Sequence, residues 1–190
     1  MAPRGEVTAL LNEAARGDAS AIQRLMPLLY DELVKLARHH RFRWRDERAP
    51  STKSLVHEAY LKLVDQSEIE WKSRAHFFYV ASCAMRSILV DNARYHARQK
   101  REGGRQQVPL SDDLLVSEER SDELLNLDEA LTRLKTADER LGKVVECRFY
   151  GGLTVDEVAE TLNVSPATVK RAWSVARAWL YRELRGAAPV

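Results

Sequence analysis

Apolar residues return every three or four positions along nearly the whole chain. Ile22, Leu25, Leu29, Leu33 and Leu36 make one such stripe, and Leu55, Val56, Ala59 and Leu63 make another. That period places each set on one face of an amphipathic helix. From Phe77 to Val90 apolar positions occur on almost every side, the pattern of a helix buried at the centre of a bundle. Pro27 interrupts the first stripe; without an amide hydrogen it is expected to kink that helix or restart it. No segment alternates with the period of two that a half-buried strand requires. The expected fold class is all-α.

The helical period fades between residues 101 and 123. Gly103, Gly104, Pro109 and scattered acids in that span read as a flexible linker. Stripes resume with Leu124, Leu127, Leu131 and Leu134, then with Leu141, Val144, Val145 and Phe149. The chain therefore divides into two small helical domains, 1–100 and 124–190, joined by an acidic tether over 101–123.

A net charge of +2 says little, but the charges are segregated. Residues 74–107 and 165–185 are rich in Lys and Arg, whereas 111–129 is acidic apart from Arg120. Two basic helices on an acidic tether suit a polyanion held at two places. Several other classes find no support. No apolar run is long enough to span a bilayer, and residues 1–17 lack the apolar core of a secretory signal. Cys83 and Cys147 lie far apart, neither in a CxxC pair, so neither a disulfide framework nor a zinc site is expected, and a cytoplasmic setting is. No metal, cofactor or enzymatic activity is expected, because no ligand spacing, glycine-rich phosphate loop or nucleophile–base pair stands out.

The sharpest local pattern is LTVDEVAETLNVSPATVKRAWSVARAWLY, residues 153–181. Thr154 with Glu157 three residues later forms a capping box, and Val158, Ala159 and Leu162 supply an apolar face. Asn163-Val164 makes a tight turn. Ser165 caps a second helix whose first turn holds Pro166, where a missing amide hydrogen costs nothing. Val169, Trp173, Ala176 and Leu180 face inward on that helix. Ala167, Thr168, Lys170, Arg171, Ser174 and Arg177 face outward. This is a helix-turn-helix whose second helix carries a small, polar, basic face fit for the major groove.

These residues resemble the C-terminal region of the extracytoplasmic-function (ECF) RNA polymerase sigma factors, from Arg140 through RFYGGLTVDEVAETLNVSPATVKRAWSVARAWL. SLVHEAYLKLV (54–64) is similar to that family's polymerase-docking helix, and HFFYVASCAMRSILVDNARYHARQKR (76–101) to its −10-reading helix. The resemblance implies a factor that carries core RNA polymerase to promoters, opens the −10 region and starts transcription. It implies −35 contacts from Ser165, Ala167, Thr168, Lys170, Arg171, Ser174 and Arg177. Leu55, Val56, His57, Glu58 and Leu61 would meet the clamp of the largest polymerase subunits, although Leu55 and Val56 equally fit a core stripe. Trp71, Lys72 and Arg74 would capture an unstacked −10 base, Trp71 being equally suited to anchor a core. Arg86, Asn92, Arg94 and Arg98 would face promoter DNA. The implied partners are core polymerase, promoter DNA and an anti-sigma factor. A stand-alone helix-turn-helix regulator is the rival reading; the basic N-terminal helix counts against it, since a ligand-binding domain has no need of one.

One stretch departs from the family. Where relatives usually read D-A-E-D-L-V-Q-E, this chain reads Ser51-Thr52-Lys53-Ser54-Leu55-Val56-His57-Glu58. Three acids are missing, and two hydroxyls and the amine of Lys53 stand in their places. A phosphate on Thr52, or on Ser51 or Ser54, would restore the lost negative charge and make a Ser/Thr kinase a partner. Arg41, Arg43, Arg45 and Arg48 lie just upstream, positioned to hold such a phosphate.

Overall fold

A computed structural model describes residues 4–44, 48–64, 71–102 and 112–186. Residues 103–111 of the expected linker, and Arg45 of the upstream basic run, lie outside them. Among the described residues the chain is all-α. The N-terminal half holds α1 (Arg4–Ala15), α2 (Ala19–Trp44), α3 (Thr52–Val64) and α4 (Arg74–Glu102). The C-terminal half holds α5 (Asp112–Ala137), α6 (Glu139–Val145), a π-helical turn (Glu146–Tyr150), α7 (Val155–Leu162) and α8 (Pro166–Gly186).

The apolar stripes meet as their spacing demands. Leu25, Leu29 and Leu33 of α2, Leu55 and Leu63 of α3, and Phe77 and Met85 of α4 are buried together. Leu131 and Leu134 of α5, Val144 and Val145 of α6, Val158 of α7 and Val169 and Ala176 of α8 fill the second half. Burying a Leu or Phe side chain contributes about 1.5–3 kcal/mol, so these stripes carry the fold. The two clusters join across α4, which packs against α5, α7 and the π turn.

Two local expectations change. Pro27 lies inside one α-helix that runs unbroken from Ala19 to Trp44, so it does not restart the helix. Burial of Leu25, Leu29 and Leu33 on either side of it outweighs the lost backbone bond. The expected linker is also helical from Asp112 onward.

The π turn redirects the chain ahead of α7. Gly151 N donates to Glu146 O at 2.9 Å, a bond spanning five residues, and Leu153 N donates to Cys147 O at 3.1 Å. Gly152 then takes a φ of +63°, a left-handed conformation that suits glycine, and releases the chain toward α7. At Gly142 a Cβ would fall 2.1 Å from Cγ of Lys135, so a bare backbone there lets α5 and α6 approach closely.

Candidate nucleic-acid interfaces

The helix-turn-helix assembles from its own short-range bonds. Thr154 Oγ1 accepts from Glu157 N at 3.3 Å, and Glu157 Oε2 accepts from Thr154 N at 2.8 Å, closing the capping box. Asn163 ends α7 with φ 52°, the left-handed cap that a short polar side chain tolerates. Ser165 Oγ then accepts from Thr168 N at 3.1 Å and starts α8 before Pro166. Val169, Ala172, Ala176 and Leu180 are buried, with Trp173 half-buried beside them. Arg148 pins the motif to the π turn: its Nη1 donates to Leu153 O at 2.7 Å, and its guanidinium sits 5.7 Å from the Trp173 ring centroid. Ser165, Ala167, Lys170, Arg171, Ser174 and Arg177 are exposed, and Thr168 is half-buried. Among the described residues no carboxylate pairs with Lys170, Arg171 or Arg177. The outward face is thus basic, shallow at its start, and open.

The residues expected to meet the −10 element are placed differently. Lys72 and Arg98 are exposed, and Asn92 is half-buried. Trp71 is only 5% exposed, with its ring 5.4 Å from that of Phe77; it anchors the core and presents no stacking face to a base. Arg74 pairs with Glu32 of α2 and lies 5.1 Å from the Phe78 ring. Arg86 and Arg94 are held by acids of the other half. Arg86 Nε donates to Asp128 Oδ1 at 3.0 Å and Nη1 to Glu146 Oε1 at 2.8 Å. Arg94 Nη2 donates to Asp128 Oδ2 at 3.0 Å. Lys135 Nζ and Tyr79 Oη complete the shell of Glu146, each at 3.0 Å.

Burial alone would lower the Arg86 pKa, but Tyr150, Asp128 and Glu146 more than offset it and hold the guanidinium above its usual value. Burial, then Cys83 and Glu146, pushes the Tyr79 phenol far up, so it remains a protonated donor. Burial likewise pushes the Cys83 thiol up to about 12, with Glu146 adding to the effect. Both cysteines are free thiols.

The docking helix α3 splits the expected contacts in two. Leu55 and Val56 are buried core, whereas His57, Glu58 and Leu61 are exposed. Ser51 Oγ accepts from Ser54 N at 3.1 Å and lies 2.9 Å from Ser54 Oγ, so Ser51 caps this helix. Thr52 is the first helical residue and is half-buried.

Asp128, Glu146, Lys135, Tyr150 and His40 are important residues that the sequence pattern did not single out. Glu146 left one trace, as an acid inside the apolar run Val144-Val145-Glu146-Cys147, since a buried carboxylate needs partners.

The family model described as ECF sigma factor matches residues 4–186, spanning both halves and the segment between them. The chain belongs to the ECF sigma factor family. No curated protein matches it significantly. Its role is that of a sigma factor in transcription initiation, and its family binds core RNA polymerase and promoter DNA. Among the described residues no cluster of His, Cys, Asp or Glu is arranged to hold a metal ion. None of the described helices is long and apolar enough to cross a membrane.

Proposed function

We propose that this sigma factor divides promoter recognition between its two halves, 1–100 and 124–190. The outward face of α8, with Lys170 and Arg171 at its centre, enters the −35 major groove. The observation that carries this reading is the joint placement of two capped helices, a left-handed turn at Asn163 and an exposed basic face with which no acid among the described residues pairs. The N-terminal half meets the polymerase clamp with His57, Glu58 and Leu61, and meets the −10 region with Lys72, Arg86, Asn92, Arg94 and Arg98. Trp71 acts from beneath, by shaping the loop that carries Lys72. The test is transcription by core polymerase with wild type and with Lys170→Ala/Arg171→Ala. Loss of initiation supports the assignment; unchanged initiation removes it.

Activation by a Ser/Thr kinase acting on 51–54 completes the proposal. Ser51 already spends its hydroxyl as the cap of α3, which leaves Thr52 as the first choice. A phosphate on Thr52 would sit at the N-terminus of α3, where the helix dipole favours anions, on the same helix as the exposed His57, Glu58 and Leu61. It would bring about −1.5 to −2 charges to a docking surface that relatives make acidic. Binding to core polymerase should strengthen on phosphorylation and fail to respond in Thr52→Ala. Tight binding by the unphosphorylated protein, unaltered by that substitution, would contradict the switch.

A further inference from the structure

The seam between the halves is built from charge and aromatic surface. At its centre lies Arg86, whose side chain is 12% exposed, against Asp128 and Glu146. Tyr150, fully buried, lies between α2 and α4: its ring stacks on His40 at 5.8 Å, and the Arg86 guanidinium stands 5.0 Å from its centroid. Lys135 and Tyr79 supply the remaining partners of Glu146. A cavity of about 540 Å³ opens along this seam, lined by Cys83, Arg86, Arg94, Asp128, Lys135 and Glu146 among others.

We infer that Asp128 and Glu146 form an intramolecular latch that occupies the α4 arginines in place of nucleic-acid phosphate, so that this sigma factor rests closed and must open before α4 can meet promoter DNA. The inference rests on the assignment of α4 to promoter DNA made above. Its physical basis is competition: a guanidinium fork accepts a carboxylate or a phosphate with the same geometry, and cannot serve both. Arg86 has two carboxylates and an aromatic face already, and Arg94, though half-exposed, is turned onto Asp128. The α8 face stays open in this state, so the closed chain keeps its −35 surface while Arg86 and Arg94 are withheld from the −10 surface and Lys72 and Arg98 stay exposed.

The charged part of the seam also suits a joint that opens, whereas its apolar part, where the two clusters join across α4, opposes opening. A charged pair taken out of water gains little over its hydrated parts, because desolvation offsets the Coulomb attraction. Separating Arg86 from Asp128 and Glu146 returns three well-hydrated groups to solvent. Separating Leu29 from Leu55 would not have that compensation. Polymerase docking on the exposed face of α3 leaves the seam free to part.

The test uses the full chain carrying Asp128→Asn/Glu146→Gln, with Asp122→Asn/Glu129→Gln as a charge-matched control on the exposed side of α5. Two readouts are compared: the hydrogen-exchange rate of the backbone amides of the π turn, which packs against α4, and the affinity for a short fluorescent single-stranded DNA. If opening limits both, each scales with the open fraction, so both should rise by the same factor in the latch variant and stay put in the control. No change in either readout overturns the latch. Faster exchange without tighter DNA binding also overturns the masking, and locates the failure in the assignment of α4 rather than in the seam. Should circular dichroism show that the double variant has lost helix, Asp128→Asn alone is read by the same criteria, since Glu146 still neutralises Arg86 there. An equal rise in the control would likewise overturn the proposal, because net charge alone would then explain the effect.

Discussion

The two basic helices α4 and α8 carry the same kind of charge and are treated in opposite ways. On α8, Lys170, Arg171 and Arg177 project from a scaffold stabilised by bonds within a few residues of one another. On α4, Arg86 and Arg94 are bound to acids that lie 42, 60 and 34 residues away in the chain. A run of arginines therefore does not by itself define an available surface. What decides availability is whether the fold brings carboxylates to the same place.

Replacing a cation on each helix should break this symmetry most visibly. Arg86→Ala leaves Asp128 and Glu146 buried with only part of their compensation. It should lower stability by about 3 kcal/mol or more in chemical denaturation. A loss under about 0.5 kcal/mol, the range of ordinary surface changes, would mean that the seam is not formed in solution. Lys170→Ala and Arg171→Ala should do the reverse. Stability should hold within about 0.5 kcal/mol, while binding to a −35 duplex weakens by about 1–3 kcal/mol for each of the two that reads a base. Steeply salt-dependent binding that both variants retain at full strength would place the groove-reading surface elsewhere.

The seam should also show in the pH dependence of stability. The folded Cys83 thiol ionises only near 12, whereas its ordinary value is 9.0. The unfolded chain therefore releases this proton first. Stability is fully present below pH 9.0 and declines as pH rises from there toward about 12, by at most about 1.4 kcal/mol per unit for this group. Cys83→Ser should flatten that decline, and an unaltered slope would show that the thiol is not shielded by the seam. The smallest effect belongs to the local side of the comparison. Thr154→Ala removes the cap of α7 and should cost about 1 kcal/mol, with reduced hydrogen-exchange protection confined to the helix-turn-helix. Protection lost equally along α4 would show that the two halves are not separable units.

The same contrast explains what was legible in the sequence. The helix-turn-helix could be read almost residue by residue, because Thr154, Glu157, Asn163 and Ser165 act on backbone groups within a few residues of themselves. The apolar stripes also emerged as written, since helical period and burial are two views of one constraint. Trp71, Leu55 and Val56 were open between core and binding surface, and packing decided them as core. The start of α5 was hidden because its first turns are polar and acidic, which weakens the helical period without weakening the helix. The Arg86–Asp128–Glu146 cluster was hidden for a different reason. Nothing local pairs residues so far apart, and only the acid stranded at Glu146 hinted that a cation had to come from another part of the chain.

The most direct measurement of the central claim is transcription by core polymerase on fragmented genomic DNA, with start sites mapped for core alone, for core with the wild-type chain, and for core with Lys170→Ala/Arg171→Ala. The chain is phosphorylated at Thr52 if it requires that to bind. A discrete set of start sites should appear with the wild-type chain and not with core alone, and should fall at least about fivefold with the double variant, the loss expected when one base is no longer read. Start sites that are the same with and without the chain, or that persist undiminished with the double variant, would contradict the assignment of α8.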